Sequence, residues 1–402
     1  MEELVAIRRL ALFIQQSRTK PLLGFLGLKE WLSLFFMKRI LIILFCLLNL
    51  VSCKTTISEC SVDRTIECKE SQIEPDIPKF VKDVTFLPLE TNGNTLLGSV
   101  DKVEFYDGMV YIADYSTRKI VAYDMNGKLR FVLDRQGRGP GEYLEIKSFS
   151  VDSDNLYILD NFGRKLFVYD SLTGEYKTTK EMPIVAWDVE ALSNGDLIFA
   201  FVTAGGKLSK KQPPYRLFVT DNNLNVKEQM LEYSKNGDSD VLGYSHFFSV
   251  YGDRILFCSY FNDAYYVLDR NNGEIIETVG IGFENKASIK DKSEVSLVNN
   301  YTYLSSVPIA CGDYLACDIT TKDVGGNYLY GSHTKGFVSN PEYGGRNCML
   351  ELVGSYDDSF VSVLWDREMY DSIVSTGFQK AGDDVEMALD KGALVLLFYH
   401  MI

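Results

Sequence analysis

The sequence predicts an all-β chain that folds as a six-bladed β-propeller with four-stranded blades. Aromatic residues make up 13% of the chain, with 24 Tyr and 24 Phe, and aromatic side chains favour pleated strands. Identical residues also recur at a fixed spacing. Tyr111 and Tyr157 are 46 residues apart, and so are Asp114 and Asp160. A period of about 40–50 residues with several short strands per unit is typical of propeller blades.

Each repeat unit has the pattern of short strands joined by tight turns. Apolar residues alternate with a period of two in segments such as 165–169 and 265–269, which excludes a helical solenoid. Asp107-Gly108 and Asn126-Gly127 supply the positive φ that tight hairpins need. Four units are legible, at residues 103–133, 149–180, 187–230 and 247–278.

The chain beyond residue 281 has room for two further blades, and seven blades in total are the alternative. Their expected cores are residues 309–317 and 356–365, and a short helix is expected at 291–303. Two strand-like runs, at 84–89 and 393–399, have no unit of their own. We expect strands from the two termini to share a blade and close the ring, because closure hides open strand edges.

The N-terminal region has the layout of an export signal. Two basic residues precede an apolar run at 40–51, and Leu50-Val51-Ser52-Cys53 follows the pattern of a bacterial lipobox. The run has 12 residues, whereas a membrane-spanning helix needs about 20. We therefore expect the protein to be exported and lipid-anchored through Cys53, with residues 1–52 dispensable and Met37 as the true start.

A polar tether is expected at residues 53–83, and the propeller domain is expected at 84–402. Export permits a disulfide between Cys60 and Cys68 in the tether, but two thiols without a disulfide are an equal alternative. The remaining cysteines lack paired spacing, and the three His residues are far apart in the sequence. We therefore expect neither a metal site nor a cofactor.

The charge of the chain limits its partners. The sequence has 41 basic and 55 acidic residues and a net charge of −14. Without residues 1–52 it keeps 34 basic and 52 acidic residues and carries −18. A phosphate backbone requires a basic surface, so nucleic acid is excluded as a partner. Anionic lipid is also repelled, so membrane attachment is expected to depend on the Cys53 lipid alone.

Two further runs resemble a known family. Arg135-Gln136-Gly137-Arg138-Gly139-Pro140-Gly141-Glu142-Tyr143 follows the first unit, and Phe86-Leu87-Pro88-Leu89-Glu90-Thr91 precedes it. With these runs, residues 84–402 resemble the six-bladed β-propeller lipoproteins of Gram-negative gut-type anaerobes, which are related to NHL-repeat propellers. The resemblance implies this fold and an envelope location, and it carries over no catalytic residues. The Gly-rich run precedes a strand, so we interpret it as a turn between blades and not as a dinucleotide loop.

In NHL-type blades the first strand of each unit lines the central channel. This analogy predicts four carboxylates near the channel: Glu104, Asp188, Glu190 and Glu351. Paired carboxylates are the groups that hydrolases and lyases use for acid–base chemistry. In such an acidic chain, however, solvated carboxylates without a catalytic role are the favoured interpretation.

In the same type of blade, two sets of loops lie on one face of the disc, which we call the rim. They join the second strand to the third and each blade to the next. We expect a ligand-contacting surface there, made of Arg118, Arg138, Glu142, Tyr143, Arg164, Trp187 and His246. Aromatic faces and guanidinium groups suit a sugar-like or carboxylate-bearing ligand.

The sequence thus favours a non-catalytic binding or scaffold module for a glycan, peptide or protein partner. A lyase or hydrolase that uses the channel carboxylates is the alternative, because propellers host both classes. Lys54-Thr55-Thr56-Ile57 contains neither an Asp after the lipobox Cys nor an acidic run for surface export. We therefore expect the anchor at the periplasmic face of the outer membrane in preference to the cell surface.

Overall fold

The structure is a computed structural model. It describes residues 61–69, 71, 73–75, 77–201, 215–233, 246–259, 263–288, 300–321, 325–340, 342–343, 346–347 and 349–402. The export signal, Cys53, Cys60 and most of the helix expected at 291–303 lie outside the described residues.

Three strands precede the first blade, and the next twelve strands form blades one to three. The N-terminal strands are β1 (Arg64–Cys68), β2 (Glu74–Pro75) and β3 (Val81–Pro88). Blade one contains β4 (Lys102–Tyr106), β5 (Met109–Asp114), β6 (Lys119–Asp124) and β7 (Leu129–Leu133). Blade two contains β8 (Ser148–Val151), β9 (Asn155–Asp160), β10 (Lys165–Asp170) and β11 (Tyr176–Glu181). Blade three contains β12 (Asp188–Ala191), β13 (Leu197–Ala200), β14 (Tyr215–Thr220) and β15 (Val226–Glu232).

Blade four is regular, whereas blades five and six are less regular. Blade four contains β16 (Phe248–Tyr251), β17 (Arg254–Phe257), β18 (Ala264–Asp269) and β19 (Ile275–Phe283). The inner edge of blade five is split into β20 (Tyr303–Leu304) and β21 (Ile309–Cys311), which both pair with β22 (Tyr314–Thr320); β23 (Gly325–Gly331) and β24 (Gly336–Ser339) follow. A hairpin of β25 (Glu342–Tyr343) and β26 (Arg346–Asn347) leads to blade six, with β27 (Leu352–Tyr356), β28 (Ser359–Leu364) and β29 (Val395–Met401).

The ring closes as the sequence predicts. The sixth blade has the strand order β27-β28-β29-β3, so its outermost strand comes from the N-terminal part of the chain. Strands β3 and β29 pair antiparallel, with Leu87 opposite Leu396 and Val84 opposite Tyr399. The turn at Gly127 of blade one packs against this strand, where a Cβ atom would lie 2.0 Å from the Pro88 carbonyl oxygen. The six-bladed propeller is therefore confirmed.

The N-terminal segment also covers the outer edges of two other blades. Strand β1 pairs parallel with β19 of blade four, and β2 pairs parallel with β24 of blade five. We call β1 and β2 the N-terminal strap. Ile66 and Cys68, two residues apart on β1, are both buried against blade four. The described part of the expected tether at 53–83 is therefore packed on the propeller, which begins well before residue 84.

Two helices that the sequence did not indicate interrupt blade six. Helix α1 (Arg367–Ser375) and helix α2 (Asp383–Asp390) lie between β28 and β29. Asp366 caps α1, since its side chain accepts a hydrogen bond from the Met369 amide at 2.8 Å. Within the described part of the chain, no helix is long and apolar enough to span a membrane.

Candidate functional site

The innermost strands of the six blades surround a channel that contains a buried lysine. Lys102, on the first strand of blade one, is 5% exposed. Its ammonium nitrogen lies 2.8 Å from Glu190 Oε1, 3.3 Å from Asp188 Oδ1 and 3.0 Å from Glu104 Oε1. Burial alone would lower the pKa of Lys102, but the three carboxyl groups raise it well above its ordinary value. We call these four residues the channel cluster.

Asp188 connects four blades through the hydrogen bonds that it accepts. Its Oδ2 accepts from the amides of Phe247 at 2.5 Å and Phe248 at 3.0 Å, both at the entrance to blade four. Its Oδ1 accepts from Ser148 Oγ of blade two and from Lys102 of blade one. Burial opposes ionisation of Asp188, yet Lys102 and the donors lower its pKa below the usual range. The side chain is a fixed anion that holds blades together.

Glu190 is bonded in a similar way. Its Oε1 accepts a hydrogen bond from Lys102 at 2.8 Å, and its Oε2 accepts one from Ser150 Oγ at 2.9 Å. The side chain is almost fully buried. Asp188 and Glu190 lie two residues apart on β12, and both side chains are bound to the same lysine.

Glu104 differs from the other two carboxyl groups. Its Oε2 accepts a hydrogen bond from the Val151 amide at 2.9 Å. Its Oε1 is buried and forms an ion pair with the Lys102 ammonium at 3.0 Å. Burial, with the charge of Glu190, raises the pKa of Glu104 to about 8. Glu104 therefore keeps its proton to a higher pH than an ordinary glutamate.

A cavity of about 560 Å³ extends along the channel from this cluster. Lys102, Glu104 and Glu190 line one part of it, and His246 lies on the same wall. The rest of the lining comes from the inner strands of blades one, four, five and six and from their turns, and it includes Phe105, Phe248, Tyr251, Arg270, Ser355, Tyr356, Asp357 and Asp358. The channel is thus an open, polar and aromatic space.

The fourth predicted channel carboxylate is elsewhere. Glu351 lies in the loop before β27, its side chain is exposed, and it is absent from the cavity lining. The inner strand of blade six begins one residue later, so Glu351 stays outside the channel, near Asp318 of blade five. The prediction that Glu351 faces the channel is wrong for this reason.

The predicted rim residues divide into separate groups. Arg118 and Arg164 are exposed at equivalent turns of blades one and two, with φ of 57° and 52°. Arg138 is also exposed. Glu142 folds its own loop, because its Oε2 accepts a hydrogen bond from the Gly139 amide at 2.8 Å. The arginines therefore remain available on the rim, while Glu142 has a local structural role.

The three other rim residues are at least partly buried. Tyr143 is fully buried, and its hydroxyl donates to the carbonyl oxygen of Arg118 at 2.9 Å, so it cannot contact a ligand on the surface as expected. Trp187 is half-buried, with the Lys147 ammonium 4.1 Å from its ring centroid. His246 lines the channel cavity, and burial lowers its pKa although the charge of Asp188 acts in the opposite direction.

Sequence reasoning missed Lys102. The available signal was its position two residues before Glu104 on one strand, which places both side chains on the same face. Within the described residues, no group of three His, Cys, Asp or Glu side chains is placed to hold a metal ion.

The fold and the channel define a six-bladed propeller with a polar central cavity. Residues 61–381 match the family described as "Domain of unknown function (DUF4934)". The chain therefore belongs to this family. No curated protein shows significant sequence similarity to it.

Several solved structures are similar to the chain. A "Putative exported protein" from Bacteroides fragilis NCTC 9343 is 18% identical, with a TM-score of 0.67 over 84% of this chain and 99% of the other. A member of the DUF4221 family from Bacteroides vulgatus is 12% identical, with a TM-score of 0.45 over 80% of this chain and 97% of the other. BamB from Moraxella catarrhalis is 14% identical, with a TM-score of 0.37 over 70% and 72%. The first similarity supports the propeller fold.

Proposed function

We propose that the protein is an exported, lipid-anchored propeller that acts as a non-catalytic binding or scaffold module in the cell envelope. The observation that carries this proposal is the bonding of Asp188 and Glu190, whose four carboxylate oxygens all accept hydrogen bonds from other blades or from Lys102. A retaining glycosidase needs two carboxyl groups that can both act on the substrate. These two carboxylates instead stabilise the ring.

The envelope location is supported by the lipobox ending at Cys53 and by the similarity to a Bacteroides protein described as exported. The strongly acidic mature chain would not be held by anionic lipid without an acyl anchor. We place the anchor at the periplasmic face of the outer membrane.

Mass spectrometry of the protein isolated from its native envelope tests this assignment. We expect an N-terminal peptide that begins with acylated Cys53, and we expect a Cys53→Ala variant to leave the membrane fraction. A peptide from residues 1–36, or an unmodified Cys53 in the membrane-bound protein, would contradict the proposal.

The partner-contacting surface in this proposal is the rim with Arg118, Arg138 and Arg164. A photo-crosslinking amino acid in place of Phe162, which is 74% exposed in the same turn as Arg164, tests the surface directly. The matched control places the crosslinker at Asn126, an exposed turn on the opposite face. We expect partner adducts from the rim position, and adducts from the control position alone would show that the wrong face was chosen.

A lyase or hydrolase is the second candidate, and one observation favours it. Glu104 lies in an open cavity, and burial raises its pKa to about 8, so it can donate a proton near neutral pH. Turnover of glycoside substrates that disappears in Glu104→Gln, with the fold intact, would establish this alternative.

A further inference from the structure

We propose that the channel cavity is a binding site for a neutral, hydroxyl-rich ligand about the size of a disaccharide. This inference rests on the proposed binding function, for which it supplies a ligand class, and it uses a surface different from the rim. The cavity of about 560 Å³ falls in the range of about 300–1,000 Å³ that is usual for small-molecule sites.

One polar atom in the lining lacks a hydrogen bond. Ser355 Oγ is buried and forms no hydrogen bond with the residues that the structure describes. Its strand, β27, is a neighbour of β4 around the channel, and β4 carries Glu104. Buried polar atoms are nearly always hydrogen-bonded in folded proteins. A bound hydroxyl group would satisfy Ser355 Oγ, since it donates one hydrogen bond and accepts others.

Aromatic side chains form the wall beside this atom. The rings of Phe105 and Tyr356 are in contact, with centroids 5.0 Å apart and an interplanar angle of 39°. Phe248 and Tyr251 line the cavity on the blade-four side. Flat aromatic surfaces next to hydrogen-bonding groups suit a ring-shaped ligand that has an apolar face and a hydroxylated edge.

The charges that line the cavity disfavour an anionic ligand. The basic residues of the lining are Lys102 and Arg270, whereas the acidic ones are Glu104, Glu190, Asp357 and Asp358. Lys102 is already bound by Glu190 and Asp188. An anion would therefore meet an excess of carboxyl groups, whereas a neutral, hydroxyl-rich ligand needs no counter-charge.

Saturation-transfer NMR with the full protein tests the site. The probes are maltose, cellobiose and lactose, with glucuronic acid and glucosamine as charged counterparts. The blocking variant is Gly354→Leu, because Gly354 lines the cavity and a Cβ atom there would meet no atom within 4 Å. Gly93→Leu is the matched control, since Gly93 is equally open but lies in an exposed loop before blade one.

We expect the unaltered protein and the Gly93→Leu variant to bind at least one neutral disaccharide. Gly354→Leu should lose about tenfold or more in affinity because its side chain fills the lumen. Ser355→Ala should weaken binding in the same direction. The inference is overturned if no neutral disaccharide binds at about 10 mM, as expected for a cavity that holds water alone. It is also overturned if Gly354→Leu binds equally well, or if the charged sugars alone bind.

The result of the Phe162 crosslinking experiment does not depend on the result of the disaccharide experiment. If disaccharides fail to bind while rim adducts form, the channel inference fails and the proposed function stands. If neither surface binds anything, both fail.

Discussion

Glu104 should make the stability of the propeller depend on pH near neutrality. The change to test is Glu104→Gln, which keeps the shape of the side chain and removes its titration. In the native protein the pKa of Glu104 is raised from 4.5 to about 8, first by burial and then by the charge of Glu190. The variant therefore isolates the contribution of this single carboxyl group.

The sign of the effect follows from proton binding. Between pH 4.5 and about 8 the native state holds a proton on Glu104 that the unfolded state has released. The free energy of unfolding therefore decreases as pH rises through this window. The full difference in pKa corresponds to about 5 kcal/mol as an upper bound, because Lys102 can reorganise around an ionised Glu104.

Urea unfolding of the two proteins between about pH 5 and pH 8 measures this contribution. We expect the unaltered protein to lose stability relative to the Glu104→Gln variant across the window. Glu175→Gln, at an exposed position of the blade-two turn, is the control and should change nothing. If the unaltered protein and Glu104→Gln show parallel pH profiles, the pKa of Glu104 is not raised in the native state, and the prediction is wrong.

Three further predictions concern the stability of the channel cluster, of two turns and of the N-terminal strap. Lys102→Met should lower the free energy of unfolding by about 3–5 kcal/mol, because it leaves buried carboxylates without their cation. The control Lys147→Met loses only a half-buried contact with the Trp187 ring and should cost far less. Denaturant titration measures both free energies. Gly108→Ala should cost about 1–2 kcal/mol, because its backbone is left-handed. Gly127→Ala should cost clearly more, because a Cβ atom there would lie 2.0 Å from the Pro88 carbonyl oxygen. Equal losses in thermal unfolding would show that the turn shifts to make room for the methyl group. Ile66→Ala should raise the rate of protease cleavage in the strap by about tenfold through local opening, and the midpoint of global unfolding should stay unchanged. A lowered midpoint would mean that the strap unfolds together with the ring.

The sequence predicts the regular part of the fold because the blades repeat. The spacing of Tyr111 and Tyr157 reflects equivalent positions on β5 and β9, so a fixed period predicts equivalent strands. The strands on both sides of the closure could also be found, since neither belonged to a unit. Helices α1 and α2 could not be found in this way, because they are an insertion inside one blade and have no counterpart in the repeat.

The channel could be predicted only in part, for a physical reason. The analogy with NHL-type blades indicates that the first strand of each blade lines the channel, and this analogy predicted Glu104, Asp188 and Glu190. It does not show which strands meet across the axis, and the contact of Lys102 with blade three joins residues 86 and 88 positions apart in sequence. Tyr143 was misplaced for a similar reason, since a loop residue can turn inward when its hydroxyl finds carbonyl partners.

The N-terminal strap determines how mechanical force enters the protein. Tension on the chain before Asp63 reaches β1 first, and β1 is held to β19 along five parallel residue pairs from Arg64 to Cys68. A pull along the strand axis strains these hydrogen bonds together in shear, and β2 on blade five must release next before the force reaches β3. The closing strand of the ring thus lies behind two separate attachments. Under the proposed anchoring through Cys53, both strap pairings would have to break before tension on the N-terminus reached the strand that closes the ring.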